Sequence, residues 1–244
     1  MKTKFLVLLF GAFFLCAVAP SIASAYAFSA VSGNLSASVD FTVNGTILEI
    51  TLTNTSTFDV LVPADILTAV FFTLDGDPTL TRDSAVLASG STVFYGPDGG
   101  GDVGGEWAYK DGLSGAPLGA DEGISSAGFG LFGPSDRFPG SNLQGPPNGN
   151  IAGLEYGITS AGDVLTTGNQ KVTGSNALIK NSVLFELSGL PDGYALAVSN
   201  VSFQYGTALY EPNVPVPEPA TMLLLGSGLI GLAGLGRKKF LRKS

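Results

Sequence analysis

Residues 35–43 alternate strictly: Leu35, Ala37, Val39, Phe41 and Val43 are apolar, with Ser36, Ser38, Asp40 and Thr42 between them. A period of two is that of a strand with one face buried. Asn44-Gly45 follows, a strong hairpin signal, and Leu48, Ile50 and Leu52 then alternate with Glu49, Thr51 and Thr53. A two-residue turn on Asn44-Gly45 predicts Phe41 opposite Leu48, Val39 opposite Ile50 and Ala37 opposite Leu52. Both apolar sets then share one side of the hairpin. The same register sets Asp40 opposite Glu49 on the outer face, either splayed into solvent or holding a cation.

The rest of the body continues in the same manner. Residues 58–62 and 66–74 are apolar and β-prone, separated by Pro63, and residues 91–95 form another such run. A glycine- and proline-rich middle spans 96–150, where Glu106-Trp107-Ala108-Tyr109 reads as a short strand. A segment this long and irregular is expected to serve a function or to move. Val183, Phe185 and Leu187 alternate, as do Val201, Phe203 and Tyr205, with a Gly-Leu-Pro-Asp-Gly turn at 189–193 between them. Helix signals are nearly absent, so the expected fold is all-β: an antiparallel β-sandwich of about eight to ten strands, jelly-roll or immunoglobulin-like in style.

Both ends depart from this pattern. Lys2 and Lys4 precede an apolar core at 5–18, and Ala23-Ser24-Ala25 supplies small residues for a peptidase. Residues 1–25 are therefore expected to be a secretory signal peptide, cut by signal peptidase to leave Tyr26 as the first residue. Leu15 and two phenylalanines before Cys16 do not suit lipoprotein processing, so Cys16 leaves with the signal and the exported chain has no cysteine. The exported β domain is expected at 26–210 and a proline-rich extended spacer at 211–219. Residues 220–236 carry no charge and would cover about 26 Å as a helix, near the lower limit for a membrane span. Arg237, Lys238, Lys239, Arg242 and Lys243 follow in the tail 237–244 and place that end in the cytoplasm. A buried core helix, the alternative, seldom ends in such a cluster.

Pro217-Glu218-Pro219, a glycine-rich apolar helix and a terminal basic cluster, in that order, resemble a PEP-CTERM sorting signal across residues 214–244. The resemblance implies that exosortase, a membrane-embedded transpeptidase-like protease, recognises Pro217, Glu218 and Pro219 and cuts near them. It also implies transient anchoring in the inner membrane, then delivery to the cell surface, outer envelope or extracellular matrix. Leu52-Thr-Asn-Thr55, Phe71-Phe72, Glu106-Trp-Ala-Tyr-Lys110 and Phe203-Gln-Tyr-Gly-Thr207 resemble phrases of other exosortase-dependent surface proteins, a likeness that carries no activity with it.

Charge narrows the function. The body between the targeting segments holds five cations against all twenty acids, a net of −15. That balance disfavours nucleic acid, whose affinity comes from Lys and Arg on phosphates. The chain has no histidine, which removes the usual general base and His-based zinc sites. The expectation is a non-enzymatic structural or interaction protein. The alternative is a glycan-binding module on exopolysaccharide, with calcium in support. Trp107 and Tyr109 share a strand face and either stack on a sugar or belong to the core. Asp75, Asp77, Asp98 and Asp102 lie on flexible Asp/Gly loops that suit either calcium or simple turn chemistry, and match no EF-hand. Asp121-Glu122 is a weak glycosidase-like pair, since that chemistry needs two carboxylates fixed across a cleft.

Overall fold

The computed structural model describes residues 25–144, 151 and 153–217. Two sheets share one apolar core. The first runs, edge to edge, through β1 (Ala25–Ser32), β2 (Leu35–Asn44), β3 (Ile47–Asn54), β11 (Ser182–Ser188) and β5 (Thr81–Leu87). The second runs through β13 (Asn213–Pro215), β12 (Val198–Tyr205), β4 (Leu67–Leu74), β9 (Gly157–Thr159), β10 (Leu178–Lys180) and β6 (Thr92–Phe94). A short hairpin of β7 (Ala108–Lys110) and β8 (Glu122–Ser125) joins that sheet by pairing β8 with β4. The fold is all-β, as its alternation predicts. It has thirteen strands among the described residues rather than eight to ten. It is also not wholly antiparallel, because β9 and β10 run parallel.

The first hairpin keeps its faces but shifts its register. Phe41 lies opposite Ile50, and Asn44 opposite Ile47, so the two turn residues are Gly45 and Thr46 rather than Asn44 and Gly45. Gly45 takes φ 65° at the first turn position, which suits the glycine-first hairpin turn. A shift of two leaves every inward residue inward, which is why the alternation does not report it. Asp40 therefore faces Thr51, not Glu49. Glu49 instead faces Thr42 on one side and Glu186 on the other. Asn44 donates to Glu49 at 3.2 Å and Ser84 to Glu186 at 2.8 Å, so each carboxylate has its own donor.

Phe41, Ile50 and Phe185 point inward from the first sheet, and Phe72, Ile158 and Phe203 from the second; all are fully buried. Phe41 and Phe72 meet edge to face at 5.0 Å, which ties the sheets together. Each such side chain contributes roughly 1.5–3 kcal/mol by leaving water. Asn54, also buried, donates from β3 to the carbonyl of Ile158 in the opposite sheet at 3.0 Å.

β4 is buried on both faces, which explains its unbroken apolar run. Phe72 enters the shared core, whereas Phe71 enters a second cluster with Ala108, Leu113, Phe132 and Ile151. The glycine-rich middle supplies that cover, so its described part is packed structure rather than a loose loop. Glycine is needed where its turns touch: a Cβ on Gly104 would sit 1.9 Å from the carbonyl oxygen of Pro139. Residues 58–62, expected as a strand, are not one. Pro63–Asp65 forms a 3₁₀ turn, and the Asp65 carboxylate accepts from the amides of Leu61 and Val62 at 3.0 and 3.1 Å. Those amides are thereby taken from any ladder.

Candidate functional site

The chain leaves the fold through a tight turn at 206–212, built around Gln204. Its side chain is fully buried on β12. Nε2 lies 3.0, 3.1, 3.1 and 3.3 Å from the carbonyl oxygens of Tyr205, Ala208, Glu211 and Pro212, sharing two hydrogens among four acceptors. Oε1 accepts from Asn213 Nδ2 at 3.2 Å. The Glu211 carboxylate closes the turn by accepting from the amides of Thr207 and Ala208 at 2.5 and 2.8 Å. Gly206 takes φ 76°, and a Cβ there would fall 2.5 Å from that carboxylate.

β13 follows at once, with Val214 opposite Phe203 and buried in the core. Val216 donates its amide to Val201 at 2.9 Å and packs against the same core. Pro215, between them, directs its nitrogen away from β12 by the alternation of a strand. Proline is tolerated there because an outer edge needs no N–H, and it also blocks strand addition. The expected domain boundary at 210 thus falls inside the fold, and residues 213–215 of the proline-rich segment form an edge strand. Pro217 follows the last core contact, Val216, directly. Glu218, Pro219, the span at 220–236 and the cations Arg237, Lys238, Lys239, Arg242 and Lys243 lie outside the described residues. Among the described residues no helix is long and apolar enough to cross a membrane.

The other end meets this one. β1 lies against β13, and it begins at Ala25, opposite Thr42, with Tyr26 opposite Phe41. The expected first residue of the exported chain is therefore already part of a strand. Ala23 lies outside the described residues.

Trp107 and Tyr109 are 0% and 1% exposed, so neither offers a ring face to a sugar. Trp107 packs edge to face on Phe185 at 5.1 Å. Tyr109 lies in the same core, and burial first, then the Glu122 charge, pushes its hydroxyl pKa far up. The glycan contact assigned to this pair is corrected to a core role. Two of the four loop aspartates act within their own turns. Asp98 accepts from the amide of Gly100 at 3.0 Å, and Asp102 from that of Gly104 at 2.9 Å. The Asp75 carbonyl accepts from the Tyr194 hydroxyl, and Asp77 takes a left-handed φ of 48° beside Gly76. Among the described residues no three Asp, Glu, His or Cys side chains come together as metal ligands.

Glu122 is 1% exposed and points into the core, not across a cleft from Asp121. Its Oε2 has no hydrogen-bond partner. Burial first, then the charges of Asp121, Asp111 and Asp77, pushes its pKa up to about 8, so it is a neutral acid at pH 7. Sequence reasoning also passed over Glu106, which is buried and accepts from the amides of Leu143 and Gln144, holding that loop on the domain.

The fold and its exit define a class: an all-β domain of antiparallel and mixed sheets whose last edge strand delivers the chain to a proline-rich tail. The family model of the PEP-CTERM protein-sorting motif matches residues 215–238, beginning inside β13. The chain thus carries a PEP-CTERM protein-sorting motif, and the motif implies export, processing by exosortase and sorting to the cell surface. No curated protein and no solved structure matches the chain.

Proposed function

We propose that this chain is a non-enzymatic structural or interaction protein of the cell surface or extracellular matrix. Its two sheets form a β-sandwich that exosortase detaches from a transient inner-membrane anchor. The observation that carries the reading is the continuity of β13 with the matched motif. Val216 is bonded into the sheet, and Pro217, the first residue of Pro-Glu-Pro, follows it directly. Such a junction delivers the whole domain, with its charge of −15, to wherever the cut end goes. The absence of histidine from the sequence and the burial of Glu122 within the core support a non-enzymatic role.

Intact mass of the native protein, from cells with and without exosortase, tests this. The expected product starts at Tyr26 and ends near Glu218 only when exosortase is present, and added mass at that end identifies what it joins. Retention of Ser244 in both strains would make the tail a plain anchor and overturn the sorting role. Glu218→Ala is expected to leave full-length protein in the inner membrane.

A further inference from the structure

β1 is an open edge of the first sheet, and the hydrogen bonds around it show which of its backbone groups are free. Its register with β2 is unbroken from Ala25 opposite Thr42 to Ser32 opposite Leu35. On β2, the carbonyl of Ser36 accepts from the amide of Thr55, on the β3 side. In an antiparallel ladder the amide and carbonyl of one residue share a side, and the side alternates along the strand. Ser36, Ser38, Asp40 and Thr42 therefore bond toward β3, and Leu35, Ala37, Val39 and Phe41 toward β1. Their partners Ser32, Ala30, Phe28 and Tyr26 are bonded in turn. Ala27, Ser29 and Val31 are left with amides and carbonyls directed outward. Among the described residues these groups have no backbone partner, since β13 lies against β1 without a backbone hydrogen bond between them.

The other edges are guarded. β13 and β6 have three residues each, and β13 carries Pro215. β5 carries Arg82 and Asp83 and bulges against β11. Such devices stop one sheet from extending another. β1 runs for eight residues with no charge, proline or bulge, and on its core side Tyr26 is 43% exposed and Phe28 half-buried. Charge selects the occupant. A body of −15 repels its own copies over most of its surface, but β1 and β2 carry one charge between them, Asp40. Across a shared β1 edge the two copies of Asp40 stand three strand spacings apart, about 14 Å. That exceeds the Debye length of about 8 Å, so here the chain meets itself without like-charge cost. We propose that β1 pairs antiparallel with β1 of a second copy across a two-fold axis, joining the two first sheets into one. Facing side chains must share a side of the sheet, so residues of like parity pair. Centred on Ser29, Ser29 faces its own copy and Ala27 faces Val31, and every outward amide and carbonyl of these residues finds a partner. Phe28 then meets Ala30, a large side chain against a small one, and Tyr26 meets Ser32. Centred on Phe28 instead, Val31 faces Ala25, the residue expected to leave with the signal. The guarded edge at β5 ends the assembly at two copies, the closed symmetry commonest among oligomers.

The test uses the protein as cells export it, tail included, in mild detergent, and reads its mass by sedimentation velocity. The tail is the same in every variant, so a difference between variants reports on β1. The expected result is a monomer–dimer equilibrium with a dissociation constant of about 1–100 μM, as a small interface gives. Ser29→Pro removes the amide at the centre of the pairing and leaves the β2 ladder intact, and it is expected to weaken the dimer at least about tenfold. If Ser29→Pro does not fold, Ser29→Lys keeps the backbone and sets two like charges on the axis, for an expected loss of about fivefold. Ser29→Cys, in a chain with no other cysteine once Cys16 has left, is expected to cross-link to its own copy on mild oxidation. Facing Cα atoms about 5.5 Å apart suit a disulfide. Ser38→Cys, one strand further in, is expected not to cross-link. A wild type that stays monomeric to about 100 μM would overturn the pairing. A dimer of undiminished strength in a folded Ser29→Pro or Ser29→Lys protein would place the association elsewhere and overturn it equally. Cross-linking of Ser29→Cys to a different protein in place of its own copy would give the edge to a foreign strand, and self-pairing would fall.

Discussion

The Gln204 side-chain amide lies 3.3 Å from the carbonyl of Pro212, eight residues on, and through it the end of β12 holds the start of β13. One buried side chain thus fixes where the sorting motif leaves the domain. Gln204→Leu keeps the approximate volume and removes every one of these bonds, leaving the Ala208 and Pro212 carbonyls only the amides of Glu211 and Tyr205. A loss of about 1–3 kcal/mol is expected, read by denaturant unfolding. Protease cleavage at 206–216 should rise in step. An unchanged cleavage rate would show that β13 holds without Gln204.

Glu122 makes stability depend on pH. Its folded pKa of about 8 lies above the ordinary value of 4.5, so its contribution is fully present below pH 4.5 and is lost as pH rises through 8. The folded state keeps a proton that the unfolded chain gives up, so unfolding becomes easier across that window. Glu122→Gln stays neutral at every pH. Its unfolding midpoint is expected to show a smaller decline between pH 5 and pH 8, with a difference of several kcal/mol at the upper end. Parallel curves for the two proteins would mean that Glu122 is ionised in the fold.

Trp107→Ala opens a void against Phe185 and is expected to cost about 3–5 kcal/mol. The native protein should emit at short wavelength, as a buried indole does, and shift to the red on unfolding. A folded variant of unchanged stability that no longer held exopolysaccharide would restore the sugar-stacking reading.

The hairpin register has its own test. Glu49 faces Glu186 across β3 and β11 rather than Asp40 across β2 and β3. Glu49→Lys replaces that like-charge pair with an opposite one, and a gain of about 0.2–1 kcal/mol is expected. A double-mutant cycle should then couple position 49 to 186 more strongly than to 40.

The sequence by itself determined the class of the fold and the address of the protein. Alternation in residues 35–54, 183–187 and 201–205 reads directly as half-buried strands, because side chains on a strand point alternately to its two faces. The tail is legible for a different reason: a sorting signal is read as a linear segment, so its order of Pro217-Glu218-Pro219, apolar run and cations carries its meaning. Tertiary structure decided everything that rests on distant partners. The two-residue register shift leaves the apolar faces unchanged, so only the turn geometry at Gly45 reveals it. Trp107 has the same identity in a sugar site and in a core; its place against Phe185, far along the chain, makes it core. The turn at 206–212 hides its order in Gln204, an ordinary polar residue until its side chain is enclosed by four carbonyls.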